Sequence, residues 1–560
     1  LTVESKLHKP ASGKSAAADA NGSSGGILIG VDATISTTTN TANVHSSVAD
    51  GTTLSVTNAT RITADTQTDQ AADANSRGFG LIAAGVTVAD ADAITSTKAW
   101  LGSNVNLTGG DLTIFAVGTD VNYSETTAGA GGAFAGVSAS ADTDNVATTV
   151  AEIKDGAGSI TLSGAFTLGT IHTSQPNNKI TAGAGGAFAG AGADAENSIK
   201  STATASVGSG VTIKARGLQI DATNKLYKPV LANGKNIDGG AGSLLAAGAL
   251  IETETLVEFT TKVDVGNNAT LEQQGGNSPA GEFALRALNT FDAIDKVNFL
   301  TFGSIGSGVG AYSTIKTKTD IAKVTIGDNA KLISVGALNI SSRGSGTLQT
   351  KVNADASGLA TVVLVDATIE LRPHNEVLIK AGVTIHSFGD LNISAGTDTD
   401  FGRDSYTFNA RSDSFAAAVI PIDKIEANAI LVQNNLIIVN SGASLKSDGD
   451  AKLHAEKIGI ADMTAFAKGV NWASALADAV NGGTELNDGT ILTEAHAVVK
   501  IDGVVKTGEN RHKTLNINNW SQQTGEITDW VGSPGVYLSS KQEKVDSALF
   551  KELSNANEQK

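Results

Sequence analysis

The sequence predicts an all-β protein: an elongated parallel β-helix (β-solenoid) of about nine ~55-residue repeats with a short helical C-terminal segment. Three observations carry that prediction. The nonapeptide AGAGGAFAG stands at residues 128–136 and again, unchanged, at 182–190. A turn motif, apolar-Gly-x-(Asn/Gly)-(Val/Ala)-x-(Leu/Ile), recurs between copies of the small-residue strand. The segments beside it alternate apolar and polar residues, the period-2 pattern of a strand with one buried face.

The repeats come in order along the chain. Degenerate copies of the small-residue strand surround Ile27, Leu81, Phe134, Phe188, Leu244, Ile305, Leu359, Phe415 and Phe466, at spacings of 54, 53, 54, 56, 61, 54, 56 and 51 residues. They place a repeat array over residues 1–519. The turn motif is clearest at residues 101–107 (LGSNVNL), 207–213 (VGSGVTI), 265–271 (VGNNATL) and 326–332 (IGDNAKL). Gly and Asn there permit positive-φ turn residues. Gly-led alternating strands follow, as in GGDLTIFA at 109–116 and VGALNIS at 335–341. Dividing the repeat by three gives coils of roughly 18 residues, and about 30 coils at ~4.8 Å would form a rod on the order of 140 Å long. Because residues 1–5 (LTVES) read like residues 112–116 (LTIFA), the chain is expected to begin in mid-repeat, as a fragment of something longer.

Two stretches depart from the array. Prolines mark expected loops leaving the solenoid, at Tyr227 and Pro229, at Pro279, and at Pro373, because proline cannot donate to a sheet ladder. Binding by these loops stands against tolerated decoration. Residues 520–560 read as a cap or linker: Trp520, Trp530 and Tyr537 cluster, and a capping box at 540–543 (SKQE) precedes Val545, Leu549 and Leu553 on one helical stripe.

Composition narrows the function classes. Net charge is −17, from 40 basic and 57 acidic residues, with no basic stripe, which disfavours nucleic acid. The absence of cysteine excludes disulfides, thiolate metal sites and cysteine nucleophiles. No apolar run reaches the ~18 residues of a membrane span. No HExxH, GxSxG or P-loop occurs, no two of the eight histidines lie at ligand spacing, and these are expected on surfaces or in turns. No catalytic constellation is visible, so no enzyme activity or obligatory cofactor is expected.

Two candidate sites remain. The acidic pairs Asp90 and Asp92, Asp142 and Asp144, and Asp194 and Glu196 recur at an interval of 52, each pair on one strand face. They could offer oxygen ligands to Ca²⁺, or simply form a solvated face. The strand AGAGGAFAG carries no polar residue on either face, which makes Ala133, Phe134, Ala135, Ala187, Phe188 and Ala189 a candidate self-association surface, against the alternative of tight internal packing.

The pattern apolar-Gly-x-Asn-Ala-x-Leu followed by Gly-x-Leu-x-Ile, at residues 326–341 and in its sister copies, resembles the repeats of large secreted bacterial β-solenoid proteins, the filamentous-haemagglutinin-like and leukotoxin-type filamentous adhesins. The resemblance implies a secreted, extracellular or bacterial cell-surface location. It implies a structural and adhesive rod that attaches to cell-surface or matrix ligands; association with other copies of the chain, side by side or end to end in a fibre, is expected from the AGAGGAFAG faces. A rod that carries a cytolytic toxin is the second reading. A polysaccharide-degrading β-helix enzyme is the third and needs an acid–base cluster in a groove.

Overall fold

The computed structural model describes residues 1–520 except 12, 157, 232–233, 276–280, 398–404, 457–459, 472–483 and 508–514. Pro279 and the expected C-terminal helix lie outside the described residues. The described chain is almost entirely strand and contains no helix. Every strand pairing is parallel, in a 21-stranded and a nine-stranded sheet. The chain is an all-β parallel β-helix.

One coil consumes a whole sequence repeat. The nine short strands of the smaller sheet stack in register from Thr53–Val56, through Asn106–Gly109, to Val504–Thr507. Partners in this sheet are 53 residues apart at Thr53↔Asn106 and 61 apart at Thr270↔Lys331. The division into 18-residue coils is therefore corrected: no strand meets a partner one third of a repeat away. The 61-residue rung is one that sequence spacing marks as long.

The remainder of each coil is a long excursion. Leu112–Ile153 is continuous strand for 42 residues, yet its two ends join base strands that stack on each other. It must go out and come back. The inner side chains show where: Asn122 Nδ2 donates to Asp144 O at 2.7 Å, and Thr95 Oγ1 to Asp120 at 2.7 Å. The fold-back falls at Gly132 and Ala133. The next coil, Ala165–Val207, is likewise continuous, and in other coils the fold-back is a break between strands, as between Phe79 and Ile82 or between Gly303 and Gly306. An outward leg and a return leg thus face each other, sheet on sheet. Each leg of ~20 residues spans ~65 Å, the paired sheets are ~10 Å apart, and nine rungs rise ~40 Å. The solenoid is a blade, wider than it is tall, and the 140 Å rod is corrected with the coil length.

Local sequence explains the base. Asn104, Asn268 and Asn329 have φ of 55–57°, and Gly51, Gly156, Gly210, Gly382 and Gly442 are also positive. These residues occupy one turn position in successive coils, the fourth of the repeated motif. From Gly51 to Asn329 the N–H at this position donates to the next coil, as from Asn104 to Gly156 O and from Asn329 to Ala381 O. Asp50, Asp155 and Asp328 reinforce the stack by accepting backbone N–H bonds from the following coil. Asn tolerates this conformation far better than a β-branched residue.

The interior has three zones. At the base, Leu101, Leu107, Leu112, Ile114 and their stacked counterparts form an apolar column. Midway, the interior of the early coils is polar, with Thr68, Gln70, Asp120, Asn122, His172 and Asn224 all buried. Toward the fold-back, in the AGAGGAFAG coils, small residues such as Ala128, Ala130, Ala139, Ala182, Ala184 and Ala193 line it. Side chains that small let two sheets converge before they join.

Proline does not mark loops uniformly. Pro229 is exposed after the strand Gly217–Lys228, where the chain leaves the ladder until Ile237. Pro373, in contrast, is buried in a two-residue interruption of the return leg, and its carbonyl accepts from Asn434 N at 2.9 Å. That expected loop is corrected. Only the proline N lacks a donor, so a short gap in the ladder accommodates it.

Candidate functional site

The fold-backs of successive coils stack into one edge of the blade. Ile82, Phe134 and Phe188 are consecutive rungs there, followed in register by Ala246, Gly306, Ala360 and Ile420. The Phe134 and Phe188 rings stack at 5.3 Å with 5° between planes. Both remain substantially exposed, at 53% and 42%. Ile27, Leu81, Leu244, Ile305, Leu359 and Val419 extend the line and are exposed too, Ile27 to 95%. The edge is a continuous apolar ridge without a charged side chain among these residues.

The two predicted faces of AGAGGAFAG do not persist through the strand. The inward set is Ala182 and Ala184 before the fold-back and Ala189, Ala191 and Ala193 after it. A register shift between Gly186 and Phe188 reverses the alternation. The candidate surface therefore divides. Phe134 and Phe188 point out, Ala135 and Ala189 are buried at 7% and 8%, and Ala133 and Ala187 are half-buried at the bend. Behind the ridge, on the outer face of the return leg, Ala84, Gly136, Gly190 and Gly248 floor a shallow groove, with Val86 and Leu250 on its far side.

The acidic residues form a ladder, offset from the one the 52-residue interval predicts. Asp142 pairs with Glu196 and not with Asp194, which sits beside Ser140. The in-register column is Asp90, Asp142, Glu196 and Glu254, with Asp92 and Asp144 stacked beside it. Rungs ~4.8 Å apart hold like charges close. Asp90 is pushed up to about 7, first by burial and then by Asp92, Asp142 and Asp144. Asp142, Asp194, Glu196 and Glu252 are also raised, each mainly by burial. Further along, Lys316 pairs with Glu254, and Lys318 with Glu258 at 3.1 Å. Among the described residues, no group of three or more His, Asp or Glu side chains is placed to hold a metal ion.

Of the expected binding-loop residues, Tyr227 is exposed at the end of its strand. The Pro229 carbonyl is tied down by Asn177 Nδ2 at 2.9 Å. Neither residue lines the groove behind the ridge.

Sequence reading placed the histidines at the surface, and His172 corrects it. It is fully buried between the legs, 3.2 Å from Thr149 Oγ1 and from Ser174 Oγ and 3.5 Å from Asp120. Burial lowers its pKa, partly offset by Asp120. The signal was the alternation itself: Phe166, Leu168, Thr170, His172 and Ser174 share one parity. The same parity in Leu218, Ile220, Ala222, Asn224 and Leu226 brings Lys228 inside, where it meets Asp295. Some interior polar residues satisfy one another, while hydroxyls such as those of Ser124, Thr126 and Thr170 are buried without a hydrogen-bond partner. Asn224 Nδ2 donates to Thr261 Oγ1 at 2.9 Å, and Asn289 Nδ2 to Asp320 at 2.7 Å.

The class these features define is a wide-coil parallel β-helix with an apolar edge and an acidic flank. Comparison with family models, with curated proteins and with solved structures returned no match. Among the described residues no helix is long and apolar enough to cross a membrane.

Proposed function

We propose that this chain is a structural and adhesive segment of a secreted or surface-displayed bacterial filamentous protein, which attaches to cell-surface or matrix ligands and associates with other copies of itself along the apolar edge. The observation that carries the reading is the ridge: large apolar side chains, stacked coil after coil and left in water. Contiguous exposed apolar surface marks an interaction site more often than chance. The likeness of residues 326–341 to adhesin repeats supports the location.

Analytical ultracentrifugation and electron microscopy test it with the pair Phe134→Ser and Phe188→Ser. The wild type is expected to form laterally paired blades or bundles, and the double variant to keep its circular dichroism and sediment as a monomer. A wild type that stays monomeric at high concentration and binds no cell or matrix surface would remove the proposal. Ala189→Lys serves as a contrast: it places a charge between the legs and is expected to unfold the edge.

A further inference from the structure

Lys228 and Asp295 lie in consecutive coils, inside the blade, and neither side chain has any solvent exposure. Lys228 is the last residue of its strand before the chain leaves the ladder at Pro229. Its Nζ touches Asp295 Oδ1. Nζ also donates to Thr255 Oγ1 at 2.9 Å, and that hydroxyl donates to Asp295 Oδ2 at 2.9 Å. Amine, hydroxyl and carboxyl close a three-membered hydrogen-bond ring in the dry space between the legs.

We propose that Lys228 and Asp295 condense into an intramolecular isopeptide bond, with Thr255 relaying the proton. A buried ion pair of this kind is held against a large desolvation penalty, which falls away if one proton moves from the ammonium to the carboxylate. Burial lowers the Lys228 pKa, which favours the free amine. The neutral Nζ attacks Cγ of Asp295 and forms the C–N bond. One Nζ proton passes to Thr255 Oγ1 as that hydroxyl gives its own proton to Oδ2. Oδ2, which received the ammonium's first proton through the same Thr255 relay, leaves as water, and Oδ1 remains as the amide carbonyl. Atoms and charge balance without any further reactant. Exclusion of water favours the amide over its hydrolysis. The bond would join two successive coils where an insertion interrupts the ladder.

The test is the mass of the denatured full-length chain and of its tryptic peptides. The expected result is a chain lighter by one water than its sequence requires. Residues 226–235 would then be linked to residues 287–296, with fragmentation locating the bond at Asp295 and not Asp292. Asp295→Ala is expected to restore the full mass and release both peptides. Thr255→Val, which leaves amine and carboxyl in place, is expected to slow the linkage at least tenfold. A wild-type chain of full mass would overturn the proposal, as would a dehydration confined to one peptide. Linkage at an unchanged rate in Thr255→Val would overturn the relay.

Discussion

Asn104, Asn268 and Asn329 show how much one dihedral angle can determine. Each closes the base turn at positive φ while its N–H reaches the next coil. Replacing Asn329 by Val is expected to cost about 1–2 kcal/mol, while Gly at the same position should be tolerated. Urea denaturation midpoints decide between them, and equal midpoints would show that the turn is not under this constraint. Asp90 makes a second prediction at this scale. Its folded pKa is raised to about 7 from an ordinary value of 3.8. As pH rises between those values the unfolded chain loses its proton first, so stability falls over that window and levels above it. The buried Asp320, also raised to about 7 by desolvation, acts in the same direction. Asp90→Asn is expected to flatten the fall in melting temperature between pH 4 and 7. A slope identical to wild type would mean that its carboxyl is fully solvated.

The leg is the relevant element, and its outer surface holds glycines that the backbone does not require. Gly136, Gly183 and Gly248 have no positive φ, and a Cβ added at any of them meets nothing within 4 Å. Gly132 differs, because a Cβ there would strike Gly80 O at the fold-back. Gly136→Ala, Gly183→Ala and Gly248→Ala are each expected to stabilise the isolated chain by ~0.5–1 kcal/mol through the unfolded state. Gly132→Ala should destabilise it. A thermal shift series reads this directly, and a loss of stability at Gly136 or Gly248 would show that the outer face does not admit a methyl group there. Alternation along the legs was legible in the sequence, and carrying its parity through residues 166–174 and 218–228 corrects the surface expectation for His172 and the loop expectation for Lys228. The reversal at Gly186 was not, because a bend that adds one residue to the count leaves no mark in a run of Gly and Ala.

At the scale of the whole molecule the repeat and the coil are the same length. The sequence period of roughly 55 residues matches coils of 53 to 61 residues and was misread as three coils, and its last markers, Phe415 and Phe466, lie off the edge column, opposite Asp355 and Arg411. Small-angle scattering should therefore report a flat particle, ~65 Å across the legs and ~40 Å along the stacking axis. A thin rod longer than ~100 Å from single chains would contradict the leg geometry. The same geometry turns scattered residues into surfaces. Phe134 and Phe188 are 54 positions apart and become a stacked pair, while Asp142 finds Glu196 and not Asp194.

Composition, period and turn chemistry determined by themselves that this chain is a parallel β-solenoid, because a turn with Asn or Gly at a fixed position and a period-2 flank specify strand and turn locally. The sequence also marked the apolar strand and the acidic pairs as its unusual features. Only the tertiary structure decided how far each coil extends, which alanines face inward, and that Lys228, Thr255 and Asp295 meet. Those outcomes depend on where a leg folds back and on register between coils, and both are set by the packing of two sheets against each other.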